Sequence, residues 1–94
     1  MDLENLRRDI DDVDREIIEL LAKRFEITKK VGAFKAENDI NSLSPDRERE
    51  QFEKYKEISV DLNMHYPVVE KIFETIRDQV LINHQKIKSE FESK

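Results

Sequence analysis

Apolar residues recur along the first third of the chain in alternating steps of three and four. They occupy positions 3, 6, 10, 13, 17, 20, 27, 31 and 34, and position 24, the one missing member of the series, is polar. This spacing is a heptad seam and predicts one long helix over about residues 3–37. With a rise of about 1.5 Å per residue, a helix of that length spans roughly 50 Å.

Two shorter helices follow after a polar break. The segment 38–44 is rich in Asn, Asp and Ser, and Ser44 followed by Pro45 predicts an N-cap with proline at the first helical position. A second helix is therefore expected over about 45–62 and a third over about 65–90. Their apolar stripes are Phe52, Tyr55, Ile58 and Leu62 in the second, and Val69, Ile72, Phe73, Ile76, Val80 and Ile87 in the third.

These elements predict an all-α fold, with residues 1–94 forming one three-helix domain. One Gly and two Pro leave little turn chemistry for a series of strands, and 37% hydrophobic against 41% charged residues suits a thin helical seam. Two short helices cannot cover a rod of about 50 Å. We therefore expect an intertwined helical homodimer, in which identical rods pair about a two-fold axis.

Composition and charge narrow the classes of function. The chain has no Cys, which removes disulfides and thiolate metal sites, and its two His stand nineteen residues apart without metal-ligand spacing. A net charge of −5 opposes binding to nucleic acid, and no apolar run is long enough to cross a bilayer. We expect a cytoplasmic protein without metal, cofactor, nucleic-acid or membrane partner.

Polar residues within the apolar stripes are the candidate functional groups. Arg24 takes the seam position between Leu20 and Ile27, and Lys35, three helical turns later, faces nearly the same way. A buried charge needs a partner, so Arg24 meets either a carboxylate of the protein, which would fix register as in coiled coils, or an external anion.

Further polar groups adjoin the apolar stripes of the other two helices: Arg47 and Glu48 lie at the start of the second helix, and Gln79 and Asn83 lie on the third. Together they indicate a small cavity for a compact polar anion.

Arg7 lies too far along the first helix to join Arg24 within one chain. The seventeen residues between them correspond to roughly 25 Å. If two first helices run antiparallel about a centre near residues 17–18, Arg7 of one chain lies level with residues 28–29 of the other. Arg7 is then either part of a composite site or a surface cation.

These residues resemble the all-helical chorismate mutases of the AroQ class, over nearly the whole chain. The segment LRRDIDDVDREIIELLAKRFEITKKVGAFK is similar to the family's first helix, with its L-R, I-D-x-x-D, L-L-x-x-R and V-x-x-x-K elements. The segment SPDRERE is similar to the start of the family's second helix, D-P-x-R-E. The spacing from Lys35 to Arg47 agrees without a gap, and the combination is far more specific than any single element.

The resemblance implies a role for each candidate residue. Arg7 would be the arginine donated across the dimer, Arg24 would bind a substrate carboxylate, and Lys35 would lie near the ether oxygen. Arg47 and Glu48 would belong to the pocket, with Glu48 facing the ring hydroxyl. The implied catalytic set is Lys35, Arg24, Asn83 and Glu48, and the implied substrate-binding set is Arg7, Arg24, Lys35, Ser44, Arg47, Glu48, Gln79 and Asn83.

Three positions depart from the family pattern. Ser44 stands where Asp is common, Gln79 where a smaller residue such as Ser is common, and Asn83 where Gln or Glu usually assists Lys35 at the ether oxygen. Asn83 is one methylene shorter than Gln. A small change of helix phase would bring the neighbouring His84 to that place instead.

The implied activity is the rearrangement of chorismate, a dianion, to prephenate in phenylalanine and tyrosine biosynthesis, without a cofactor. An isochorismate-pyruvate lyase of the same fold and a non-catalytic helical dimerisation module are the alternatives. The lyases lack a clean R-E pair after the proline, whereas Arg47 and Glu48 are present here. A helix-turn-helix reader of DNA is disfavoured by the mixed charge of the third helix.

Overall fold

The computed structural model describes residues 2–93, which form three α-helices and no strand. The helices are α1 (Leu3–Glu37), α2 (Pro45–Asp61) and α3 (Tyr66–Glu92). The expectation of an all-α fold with one long and two shorter helices is confirmed. The structure is elongated, with principal extents of 57 × 27 × 15 Å, because α1 alone runs for 35 residues.

Local sequence signals set the ends of α1. The carboxylate of Asp2 accepts a hydrogen bond from the backbone N–H of Asn5 at 2.8 Å, so it caps the start of the helix. At the other end, Lys35 lies in the last turn and Asp39 adopts a left-handed conformation (φ 53°) beyond the C-cap. The helix therefore ends where the apolar seam ends.

The helices α2 and α3 are joined by a tight turn. Ser44 occupies the N-cap position of α2 with Pro45 next to it, although its side chain makes no capping hydrogen bond. After α2, Asn63 is left-handed (φ 56°) and the N–H of Met64 donates to the carbonyl of Ser59 at 2.8 Å, as in a Schellman motif. This turn reverses the chain so that α3 packs back along α2.

The core lies along α3, which packs against both α1 and α2. Ile76 is the one buried apolar side chain of the described residues, and Ser59, His84 and Gly32 are the buried small or polar residues. The apolar seam over the first half of α1 stays uncovered, with Leu3, Ile10 and Leu20 each more than half exposed. A single chain therefore leaves much of the apolar seam of its longest helix uncovered, and Ile27 and Phe34 in the second half of α1 are also more than half exposed.

No helix within residues 2–93 carries an apolar stretch long enough to span a bilayer.

Candidate active site

A cavity of about 370 Å³ lies where the three helices meet. Its wall combines apolar side chains with a small set of charged groups, and α1, α2, α3 and the loop before α2 all contribute to it. The apolar part of the wall comes mainly from Ile27, Val31, Leu43, Phe52, Tyr55, Phe73, Val80 and Leu81. A concave and mainly apolar wall that presents a few polar groups is typical of small-molecule sites.

The α1 wall presents Arg24 and Lys35, as the interrupted seam predicted. The Arg24 guanidinium donates to the hydroxyl of Tyr55 at 3.4 Å and lies 5.7 Å from the ring centre of Phe73. The Lys35 ammonium donates to the carbonyl of Ser42 at 3.0 Å. Within residues 2–93 neither cation forms a salt bridge with a carboxylate, so the chain supplies no acidic partner that would make Arg24 a register-fixing ion pair.

The first turn of α2 supplies the opposite wall. Ser44, Arg47 and Glu48 all line the cavity, Glu48 being half-buried and Arg47 exposed. Pro45 has no N–H, but the following backbone amides at this helix start have no intrahelical acceptor and add positive potential. Five sequence-predicted residues, counting Arg24 and Lys35, are thus brought to one cavity.

Arg77 on α3 is a wall residue that the sequence analysis did not single out. Its guanidinium forms a salt bridge with Glu48 across the gap between α2 and α3, and two of its nitrogens donate to the carboxylate of Asp78 at 3.1 and 3.2 Å. The hydrogen bond to Glu48 is the main reason that the pKa of Arg77 is raised above its ordinary value. The sequence feature that could have indicated Arg77 is its position at the edge of the apolar stripe, four residues after Phe73 and three before Val80.

Gln79 and Asn83, the two predicted site residues of α3, lie outside the wall of this cavity in the single chain. Neither residue lines the cavity; the Gln79 amide donates to the Asn83 side-chain oxygen at 2.9 Å on the exposed side of α3. The inward face of α3 runs through Ile76, Val80 and His84, and a residue one position away is rotated by about 100° around the helix. In the single chain, His84 lines the cavity and Asn83 does not.

His84 is 4% exposed and lines the cavity. Its Nε2 lies 2.8 Å from the backbone carbonyl of Thr28 on α1. The ring packs directly against Gly32, where an added Cβ would come within 2.6 Å of the histidine Cδ2. The absence of a side chain at Gly32 is what allows an imidazole to pack between α1 and α3.

Arg7 lies on the exposed first half of α1, apart from the cavity. This agrees with the distance of roughly 25 Å between positions 7 and 24 along one helix. Within one chain, Arg7 and Arg24 do not meet.

The cavity wall carries a net positive charge, although the chain as a whole is negative. Four cations (Arg24, Lys35, Arg47 and Arg77) against one carboxylate (Glu48) leave three positive charges, whereas the whole chain carries −5. No group of three His, Asp or Glu side chains in residues 2–93 is arranged to hold a metal ion. Chemically, the arrangement can bind and orient a small molecule with more than one negative charge.

Comparison with known proteins gives a consistent family. The sequence profile of a family described as "Chorismate mutase type II" matches residues 6–85. A chorismate mutase of Methanocaldococcus jannaschii is 30% identical over 84 residues, which cover 89% of this chain and 80% of that protein.

Two longer proteins match over shorter stretches. A bifunctional chorismate mutase/prephenate dehydratase of Aquifex aeolicus is 42% identical over 53 residues, 56% of this chain and 15% of that protein. The T-protein of Haemophilus influenzae is 44% identical over 46 residues, 49% of this chain and 12% of that protein. The aligned part is thus a small fraction of each of these two relatives. The profile match over most of the chain, on a three-helix fold with a cationic cavity, shows that the chain belongs to the chorismate mutase type II family.

Proposed function

We propose that this chain catalyses the intramolecular rearrangement of chorismate to prephenate, in the cytoplasm, as a step towards phenylalanine and tyrosine. The observation that carries the proposal is the cavity in which Arg24 and Lys35 lie among apolar side chains and form no salt bridge with a carboxylate of residues 2–93. A cavity with three surplus positive charges suits a substrate that carries two carboxylates. Family membership supports the same reaction.

The reaction breaks one C–O bond and forms one C–C bond within a single molecule, so it needs no nucleophile, metal or redox partner. What the protein supplies is confinement of the flexible dianion in a chair-like shape and positive charge where the ether oxygen gains electron density. Arg24 and Arg47 would hold carboxylates, and Lys35 would face the ether oxygen. The Lys35 ammonium has three donors, and the carbonyl of Ser42 uses one of them.

Glu48 would accept a hydrogen bond from the ring hydroxyl of the substrate. The salt bridge from Arg77 limits the rotation of the Glu48 carboxylate. Ser44 lines the cavity at the N-cap of α2, and the N-terminus of a helix favours a bound anion. These are proposed roles, consistent with where each side chain lies.

We propose further that the active form is a homodimer, in which the uncovered seam of α1 pairs with the same seam of a second copy. Antiparallel pairing about residues 17–18 would bring Arg7 of one chain level with residues 28–29 of its partner, between Arg24 and Lys35. Arg7 would then complete the site as a further carboxylate-binding group. The exposure of Leu3, Ile10 and Leu20 supports a partner along this seam.

The activity test is prephenate formation by the purified chain, with two matched lysine variants. Lys35→Ala should lower kcat/KM by about 10²- to 10³-fold, the usual loss when one oxyanion donor is removed. Lys23→Ala removes an exposed lysine of the same helix that lies outside the cavity wall, and it should leave the rate nearly unchanged. Undiminished turnover by Lys35→Ala would contradict the role proposed for Lys35.

Two controls separate the alternative functions. Incubation with isochorismate, followed by assay for salicylate and pyruvate, measures the lyase reaction in the same preparation. A bicyclic dicarboxylate that mimics the chair-like transition state should raise the melting temperature of a mutase, because it binds only the folded protein. A dimerisation module without a site would show neither turnover nor this thermal shift.

The dimer is tested by charge substitution at its proposed centre. Ile17→Asp places two carboxylates near the two-fold axis and should give monomers in sedimentation analysis, with loss of turnover. Val60→Asp introduces the same charge at an exposed position of α2 and should leave the dimer intact. Dissociation by Val60→Asp, but not by Ile17→Asp, would contradict the proposed pairing.

The donation of Arg7 across the interface is tested by complementation. Arg7→Ala and Arg24→Ala should each be nearly inactive alone. In an equal mixture, half of the dimers would be mixed and each would contain one intact site, so about a quarter of the wild-type activity should return. No recovery after subunit exchange would show that Arg7 does not act in the partner's site.

A further inference from the structure

The hydroxyl of Tyr55 makes the one side-chain hydrogen bond that joins α1 to α2 within residues 2–93. Arg24 on α1 donates to this hydroxyl at 3.4 Å. Each of the two helices packs against α3, but they do not pack against each other. Both residues line the cavity. The hydrogen bond therefore crosses the space between α1 and α2, and this space belongs to the cavity.

The contact with Arg24 leaves the hydroxyl hydrogen of Tyr55 unused. A guanidinium carries only donors, so the oxygen of Tyr55 is the acceptor in this bond. A phenol has one hydrogen of its own, and no group of residues 2–93 accepts it. Tyr55 can therefore still donate one hydrogen bond, from a position beside a cation.

The ring of Tyr55 is held by two other aromatic residues of the cavity wall. It stacks on Phe73 of α3, with the ring centres 4.0 Å apart and the ring planes inclined by 24°, and it meets Phe52 edge-on with the centres 5.3 Å apart. The Arg24 guanidinium lies over the same Phe73 ring. The hydroxyl and the guanidinium are thus held side by side before any ligand binds, which lowers the ordering cost of binding.

A carboxylate is the ligand group that fits these two donors. Its oxygens only accept hydrogen bonds, and they can accept from several donors at once. The guanidinium offers charge-assisted N–H donors, and the hydroxyl offers a short O–H donor to an anionic oxygen. Because the two donor atoms are 3.4 Å apart, both can reach the same carboxylate. A phenyl ring at position 55 would leave this carboxylate to the guanidinium alone.

We propose that Tyr55 is a further substrate-binding residue, whose hydroxyl donates to the same substrate carboxylate that Arg24 holds. This inference rests on the proposed mutase function. The charge of a carboxylate does not change during the rearrangement, so the hydrogen bond stabilises the bound substrate and the transition state equally. The contribution of Tyr55 is therefore expected in KM and not in kcat.

The first test is the kinetics of two matched tyrosine variants. Tyr55→Phe removes the hydroxyl and keeps the ring that stacks on Phe73. It should raise KM for chorismate about tenfold, as expected when a hydrogen bond to a charged group is lost, and should change kcat by less than about twofold. Tyr66→Phe makes the same change outside the cavity wall, where the hydroxyl donates to the carbonyl of Phe52, and should leave both constants nearly unchanged.

The second test shows whether the hydroxyl itself donates to the ligand. The chain has no Trp and two Tyr, so Tyr66→Phe leaves Tyr55 as its only tyrosine chromophore. A phenol that begins to donate a hydrogen bond absorbs at longer wavelength. Binding of the bicyclic dicarboxylate, which has no aromatic ring, should therefore shift the tyrosine absorption band of Tyr66→Phe to the red. If Tyr55 only oriented Arg24, its hydroxyl would stay an acceptor and this red shift would not occur.

The outcomes separate this inference from the proposed function. If Tyr55→Phe binds the dicarboxylate within about twofold of the wild-type affinity, or if binding gives no red shift, the role of Tyr55 is overturned and the mutase assignment stands. If the wild type neither turns over chorismate nor binds the dicarboxylate, the mutase assignment itself is overturned. Circular dichroism shows whether Tyr55→Phe folds, and if it does not, the absorption shift in Tyr66→Phe decides the inference alone.

Discussion

Substitution of Gly32 by alanine sets two effects of opposite sign against each other. Ala is favoured over Gly inside a helix by about 1 kcal/mol, so on α1 alone the change should stabilise the protein. In the folded protein, however, the new Cβ would lie 2.6 Å from Cδ2 and 3.1 Å from Nε2 of His84. Packing against α3 decides which effect prevails.

The geometry indicates that the steric term is the larger one. Restoring an ordinary contact of about 3.4 Å requires the His84 ring to move by roughly 0.8 Å from its position at 2.6 Å. That ring is 4% exposed and is held to the carbonyl of Thr28 at 2.8 Å, so it cannot withdraw without weakening the hydrogen bond. Overpacking of this kind costs about 1 to 3 kcal/mol. After subtraction of the helix-propensity gain, Gly32→Ala should lower the free energy of unfolding by up to about 2 kcal/mol.

Urea unfolding at one fixed protein concentration measures this change, since the proposed dimer makes stability depend on concentration. Ala22→Gly, at an exposed position of α1, calibrates the helix term and should cost about 1 kcal/mol. In a His84→Ala background the clash with the ring is absent, so Gly32→Ala should there stabilise the protein by about 0.5 to 1 kcal/mol. Equal stabilisation in both backgrounds would refute the reasoning.

Three further predictions concern other contacts of the structure. Arg77→Leu should reduce kcat/KM for chorismate about tenfold or more, because Glu48 loses the cation that holds it, while Arg77→Lys should retain part of the activity; an unchanged rate in Arg77→Leu would contradict this. Asn63→Ala should lower the free energy of unfolding by about 1 kcal/mol in urea, whereas Asn63→Gly should change it little, because only the former penalises the left-handed backbone. Burial first, and the nearby Glu70 second, raise the pKa of Tyr66 in the folded state, so its stabilising contribution is present below about pH 10 and is lost as the pH rises further. Between pH 9 and 11, the free energy of unfolding measured in urea should therefore fall less in Tyr66→Phe than in the wild type.

The long first helix and the start of the second follow from local sequence signals. The seam of α1 continues for nine positions, and Ser44 with Pro45 gives an unambiguous helix start, so both elements could be placed without knowledge of the fold. Arg24 and Lys35 could be assigned to one face because α1 is a single helix with one phase. Their convergence with Arg47 and Glu48 depends on how α2 packs, which helical periodicity does not determine and which the family resemblance implied.

The third helix shows what such local signals lack. Its stripe predicts that one side of the helix is buried, but Asn83 and His84 differ by about 100° around the axis, and either lies near the edge of that stripe. His84 is the one that is buried, because of residues on α1 more than fifty positions earlier. Gly32 leaves room for the imidazole, and the carbonyl of Thr28 lies within hydrogen-bond distance of it. Arg77 is a similar case. Its position at the edge of the stripe predicts a solvated side chain, and its salt bridge with Glu48 depends on how α2 packs against α3. The polar groups of this cavity are therefore selected by pairwise fit between helices, and periodicity within one helix cannot encode that fit.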